Sequence, residues 1–161
     1  MSVETSSVEG RVGEGQEAPD FELVDQNRQP VRLSSYRDRK NVVLIFYPFS
    51  FTPKCQGELC RVRDELPTFA NDDVQTIAVS VDTAAAHRVW ADQQGFNFPL
   101  LADFWPHGAV AKRYGVFDDK RGAALRATFI IDKAGIVRYK VVNALSDARD
   151  QAEYVKVLAS L

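Results

Sequence analysis

The chain has 161 residues, 45% of them apolar and 26% charged, and a formal net charge of −2. That length suits one domain with a core of its own. The balanced charge gives no basic footprint for nucleic acid and no polybasic membrane patch, and no apolar run approaches the roughly 20 residues needed to span a bilayer. Residues 1–16 are rich in Ser, Glu and Gly and lack the apolar segment of a secretory leader. They predict a flexible tail over 1–14 ahead of a single domain over 15–161, and a cytoplasmic protein whose thiols stay reduced.

In chain order, residues 21–24 begin a short strand, 25–30 form a turn, and Val31 and Leu33 alternate with polar neighbours as a second short strand does. Ser34 to Tyr36 start a helical turn. Residues 41–47, Asn-Val-Val-Leu-Ile-Phe-Tyr, are almost continuously apolar and predict a central strand covered on both faces. Leu59, Val62, Leu66 and Phe69 recur at helical spacing, so a helix is expected over 56–69. A strand follows over 75–81. Next comes a helix over 83–94, with Thr83 as N-cap and Gly95 just past its end. A short strand over 98–101 and a short helix over 108–114, ended by Gly115, come next. Strands over 127–132 and 136–142 flank Lys133-Ala134-Gly135 as a tight hairpin, and 147–161 reads as a closing amphipathic helix capped by Ser146 or Asp147. Strands alternating with helices predict an α/β fold, a mixed central sheet with helices on both faces.

One stretch concentrates the chemistry: Pro48-Phe49-Ser50-Phe51-Thr52-Pro53-Lys54-Cys55, between the apolar strand and the helix. A cysteine in the first turn of a helix meets outward-pointing amides and the positive end of the dipole, which favour thiolate over thiol. The second cysteine, Cys60, lies five positions on. With His87 and His107 the two cysteines make poor zinc ligands, because Cys-x4-Cys lacks paired histidines; neither a metal nor another cofactor is expected. Cys55-Gln56-Gly57-Glu58 is not Cys-x-x-Cys, so a dithiol oxidoreductase of that kind is disfavoured.

Pro48-x-x-x-Thr52-x-x-Cys55 matches the peroxiredoxin signature, and Ala18-Pro19-Asp20-Phe21, Glu58 and Arg126 in Arg126-Ala127-Thr128-Phe129 match further family positions. Cys55-Gln56-Gly57-Glu58-Leu59 and the segment Asp103 to Val110 resemble the alkyl hydroperoxide reductase E type. The resemblance covers nearly all of the chain after Gly13. It implies a thioredoxin-like fold and a thiol-dependent peroxidase, with Cys55 as peroxidatic nucleophile and Pro48, Thr52 and Arg126 as its activating set. The substrates implied are hydrogen peroxide, organic hydroperoxides and peroxynitrite. The implied partners are a thiol reductant, either mycothiol with mycoredoxin or thioredoxin, and a second copy in a homodimer. A peroxide sensor or redox-switched holdase using the same cysteine is the alternative.

The residue types suit that chemistry. Thiolate attack on an O–O bond needs an ionised sulfur and stabilisation of charge developing on two oxygens. Arg126 would bring a permanent charge with a donor fork, and Thr52 a hydroxyl that donates and accepts. Thr52 also stands where a helix N-cap ahead of Pro53 belongs. Pro48 would shield the sulfur. Glu58 would orient Arg126, unless it is a solvated helix residue. Arg149 reads as a surface residue, Trp105 and Pro106 as rim or subunit-contact residues, and His107 as no base.

Cys60 keeps two readings. It can resolve a Cys55 sulfenic acid to a disulfide, or serve as a packing residue while an external thiol resolves Cys55. In an intact helix, residues five apart have Cα atoms roughly 8–9 Å apart. A disulfide wants them within about 7 Å, so the first reading requires the first turn to unwind. Cys60 lies off the Leu59, Val62, Leu66 stripe, which argues against deep burial.

Overall fold

The structure, a computed structural model, describes residues 12–143 and 151–161; the side chains of 54–56, 143 and 151 lie outside that description. A short antiparallel hairpin, β1 (Glu22–Val24) and β2 (Pro30–Arg32), precedes a single 3-10 turn (Leu33–Tyr36). Then follow β3 (Asn41–Phe46), α1 (Pro53–Asp64), α2 (Leu66–Phe69), β4 (Val74–Ser80), α3 (Ala84–Gln94), β5 (Leu100–Ala102) and α4 (Ala109–Arg113). A two-residue hairpin, β6 (Phe117–Asp118) and β7 (Ala123–Ala124), leads to β8 (Arg126–Ile131), β9 (Val137–Asn143) and α5 (Gln151–Ala159).

The central sheet has five strands in the order β5-β4-β3-β8-β9. β3 pairs parallel with β4 and antiparallel with β8. All six residues of β3 are buried, as a central strand covered on both faces requires. Alternation divides them. Val42, Leu44 and Phe46 enter a core with Phe129, Ile131, Val110 and Tyr114, closed by α4 and by Phe21 and Leu33 around the first hairpin. Val43, Ile45 and Tyr47 enter a second core with Leu59, Val62, Phe69, Trp90 and Tyr154, closed by α1, α2, α3 and α5. The expected mixed α/β sheet with helices on both faces is therefore present.

Local chemistry sets the boundaries. Thr83 Oγ1 accepts the Ala86 amide at 3.1 Å, and Gly95 closes α3 at φ 71°. The single helix expected over 56–69 is instead two, broken at Glu65. Pro67 donates no amide hydrogen bond and its ring crowds the carbonyl four residues back, so the helix restarts around it. Gly108, at φ 70°, precedes α4, and a Cβ there would sit 2.2 Å from the Phe117 ring. The hairpin of β6 and β7 went unanticipated because two-residue strands carry no periodicity.

A loose tail extending past residue 11 does not hold. Val12 is buried in the first core, Lys140 Nζ donates to its carbonyl at 2.6 Å, and the Gly15 amide donates to Val137 at 2.8 Å. A buried valine and strand-like pairing attach residues 12–16 to β9 despite their Ser/Gly/Glu composition. The tail expectation for residues 1–11, the caps Ser146 and Asp147, and Arg149 lie outside the described residues.

Candidate active site

β3 and β4 run parallel, and their carboxyl ends meet where the chain leaves the sheet, a common location for sites in such folds. From the end of β3 the chain runs through Tyr47 and buried Pro48 into a tight loop and then α1. Phe51 sits at φ 68°, a left-handed conformation that costs a bulky L-residue about 1–2 kcal/mol. Its ring packs 5.8 Å from that of Trp90. Tyr47 Oη and Ser50 Oγ are 3.0 Å apart, and the Ser50 amide donates to Asp82 Oδ2 at 2.8 Å.

Thr52 occupies the N-cap position and Pro53 the first helical one, but the Thr52 hydroxyl makes no capping bond. It donates instead to the Phe49 carbonyl at 2.9 Å. With its proton committed, the oxygen keeps its lone pairs for an outside donor. Cys55 is the third residue of α1, within the amide-rich first turn; its side chain lies outside the described residues. No carboxylate stands in that turn to offset the dipole, and Lys54 adds a positive charge.

Arg126 opens β8, an interior strand rather than an edge. Because Ala127 pairs with Phe46, Arg126 stands level with the end of β3, beside the loop. It shares its face with Thr128 and Ile130, the face that α1 covers. Arg126 and Glu58 are only 4% and 5% exposed, and Arg126 Nη1 donates to Glu58 Oε1. Glu58 is thus no solvated helix residue, and Arg126 no surface charge. A buried ion pair is a poor way to gain stability, since desolvation cancels much of the attraction. Its presence at this point fits a permanent charge fixed for chemistry.

Cys60 is half-buried against the second core, and its thiol lies 3.6 Å from Gln94 Oε1 on α3. Both cysteines belong to the continuous helix α1. Trp105 is highly exposed on the loop after β5, beside exposed Phe104. His107 Nε2 lies 2.6 Å from the Gly122 carbonyl and braces that loop.

A family model described as the AhpC/TSA family matches residues 14–140. The chain belongs to this family. It is 51% identical over 147 residues to alkyl hydroperoxide reductase E of Mycobacterium tuberculosis, covering 91% of this chain and 96% of that one. Among solved structures it is similar to peroxidoxin BcpB from M. tuberculosis (31% identity, TM-score 0.84, 94% of this chain and 99% of that one). It is also similar to the reduced 2-Cys peroxiredoxin of Plasmodium vivax (30% identity, TM-score 0.80, 91% and 80%). The protein is therefore a peroxiredoxin of alkyl hydroperoxide reductase E type, a thiol-dependent peroxidase with a thioredoxin-like fold.

Sequence reasoning missed one part of this peroxiredoxin's site. Ser80 at the end of β4, half-buried Asp82 two residues beyond it, and buried His87 on α3 join Ser50 in a polar chain. The available signal was a Ser-x-Asp at the carboxyl end of a parallel strand. Among the described residues, no helix is long and apolar enough to cross a membrane.

Proposed function

We propose that Cys55 is the peroxidatic nucleophile and that Thr52, Arg126 and Pro48 activate it, with Glu58 holding Arg126. The observation that carries this reading is the buried Arg126–Glu58 pair beside the loop that leads into α1. The Cys55 thiolate attacks one peroxide oxygen; an S–O bond forms as the O–O bond breaks, and the second oxygen leaves as hydroxide or alkoxide. Sulfur is oxidised by two electrons to the sulfenic acid and the peroxide is reduced. The guanidinium meets the charge developing on the oxygens, and the Thr52 oxygen accepts from the attacked peroxide's O–H. Pro48 keeps water from the sulfur.

Hydrogen peroxide, organic hydroperoxides and peroxynitrite fit a site whose demands fall on the O–O bond alone. The reductant is a thiol system, mycothiol with mycoredoxin or thioredoxin. The protein works in the cytoplasm as a homodimer, with exposed Trp105 at the contact, and its folded unit is a single domain. Cys60 resolves Cys55 once the first turn of α1 unwinds, since the intact helix holds the two Cα atoms too far apart.

Intact mass after one equivalent of peroxide tests the scheme, with wild type run beside Cys60→Ser and Cys55→Ser. The expected result is a loss of two mass units in wild type, a gain of one oxygen in Cys60→Ser, and no change in Cys55→Ser. One added oxygen in wild type as well would assign resolution to an external thiol. A single saturating oxidation without continuous peroxide loss under thiol supply would favour a sensor over a peroxidase.

A further inference from the structure

The polar chain beneath the loop has a direction. Asp82 Oδ2 accepts two hydrogen bonds, from the Ser50 amide at 2.8 Å and from the Ser80 hydroxyl at 2.6 Å. A hydroxyl has one proton, and that of Ser80 is given to Asp82. At 2.7 Å from Ser80 Oγ, His87 Nε2 must then be the donor. His87 is fully buried, and burial pulls its pKa down to about 4, against the weaker upward pull of Asp82 and the Leu100 backbone. A neutral imidazole with its proton on Nε2 suits that geometry. The chain thus runs from His87, on the capped helix α3, through Ser80 to Asp82 and ends on the backbone of the loop.

The loop needs such a support. Phe51 is held at positive φ immediately after Ser50, and strain of this kind persists only where the surroundings over-determine it. The Thr52–Phe49 and Tyr47–Ser50 hydrogen bonds close the loop on itself. The Ser50–Asp82 bond ties its backbone to the end of β4.

We propose that Asp82 is a positioning residue for this peroxidase: its carboxylate, oriented by Ser80 and His87, clamps the Ser50 amide and so holds the turn that presents Thr52 and Cys55 to peroxide. The proposal rests on Cys55 being the peroxidatic cysteine. It makes the end of β4 part of the catalytic support although no atom of Asp82 touches substrate.

The test is rapid-mixing kinetics of Cys55 oxidation by hydrogen peroxide, read through tryptophan fluorescence, with a pH titration of the Cys55 thiolate. Asp82→Ala removes both accepted hydrogen bonds and is expected to slow oxidation about tenfold, the scale of one lost charge-assisted hydrogen bond, and to raise the thiolate pKa. Asp82→Asn keeps an oxygen that can take both bonds and is expected to restore the rate to within about threefold. Val137→Ala, in the buried part of β9, serves as a control that lowers Tm without touching the loop; its oxidation rate should stay at the wild-type value. If Asp82→Ala fails to fold, Ser80→Ala is expected to slow oxidation by about threefold by releasing the carboxylate. A wild-type rate in Asp82→Ala, or in Ser80→Ala where that variant stands in, overturns the clamp. So does equal slowing in the alanine and asparagine variants. Peroxide consumption by Cys55→Ser at the wild-type rate would instead overturn the assignment of Cys55.

Discussion

The two faces of the central sheet are built from the same strands and hold different chemistry. The face closed by α4 and the first hairpin is almost wholly apolar. Its one buried charged residue, among those described, is Asp103, whose carboxylate oxygens accept the Val110 and Ala111 amides at 3.0 Å each. Burial raises the Asp103 pKa and those amides act against the rise, so the group serves the start of α4. The face closed by α1, α3 and α5 buries Arg126, Glu58, Ser80, His87, Thr76 and Thr128 among its aromatics. Thr128 Oγ1 and Tyr154 Oη pair at 2.8 Å, and Thr76 donates to the Phe69 carbonyl at 2.9 Å. A polar group costs free energy inside unless it is fully paired. One face accepts that cost at a single helix start; the other accepts it repeatedly, and Arg126, Glu58 and Ser80 lie toward the loop that carries Cys55. Buried polarity is therefore concentrated on the face that carries the Cys55 loop.

The largest effect that tests this contrast comes from the ion pair. Arg126→Ala removes the cationic half of a buried pair, and is expected to destabilise by about 3–5 kcal/mol in urea unfolding while abolishing measurable peroxidase turnover. The double substitution Arg126→Met with Glu58→Gln should recover most of the stability and none of the activity. Recovery of both would mean that the pair is only architectural.

A smaller effect should follow from His87. Its folded pKa of about 4 lies below its ordinary 6.5, so the unfolded chain takes up the proton first as the solution is acidified. The stability contributed by keeping His87 neutral is fully present above about pH 6.5. It falls away as pH drops toward 4, on the order of 3 kcal/mol in all. Urea midpoints measured at pH 7 and pH 5 should show this loss in wild type and a shallower one in His87→Gln. Equal slopes would separate His87 from the acid sensitivity of this face.

On the other face the expected effect is the smallest and purely structural. Asp103→Ala removes the acceptors at the start of α4 and should lower stability by about 1–2 kcal/mol, with peroxide turnover at 25 °C changed less than twofold. A large loss of turnover in the folded variant would erase the distinction between the faces.

Much of this was legible in residue order because it is local. The six-residue run of β3 has to be a central strand, Thr83 and Gly95 bracket α3 by their own preferences, and Pro48, Thr52 and Cys55 lie within eight consecutive residues. Other features were misread for equally physical reasons. Pro67 is a visible breaker, but the apolar stripe runs across it, so the pattern reads as one helix where the fold has two. The composition around Val12 looked like solvated tail, yet a partner strand supplies the burial. The pairing of Glu58 with Arg126, by contrast, was expected from the family resemblance alone: the two are 68 positions apart, and no periodicity relates them.

What the sequence determined by itself is the order of the main strands and helices and the segment proposed to react, because hydrophobic alternation, capping and a compact motif act over a few residues. Tertiary structure decided which distant groups share a buried space. It set Arg126 on the face that α1 covers, where it meets Glu58, and brought Asp82 beneath Ser50, 32 residues away. Those outcomes depend on strand register and helix docking, in which a slip of one residue would turn Arg126 from the core of one face toward the other.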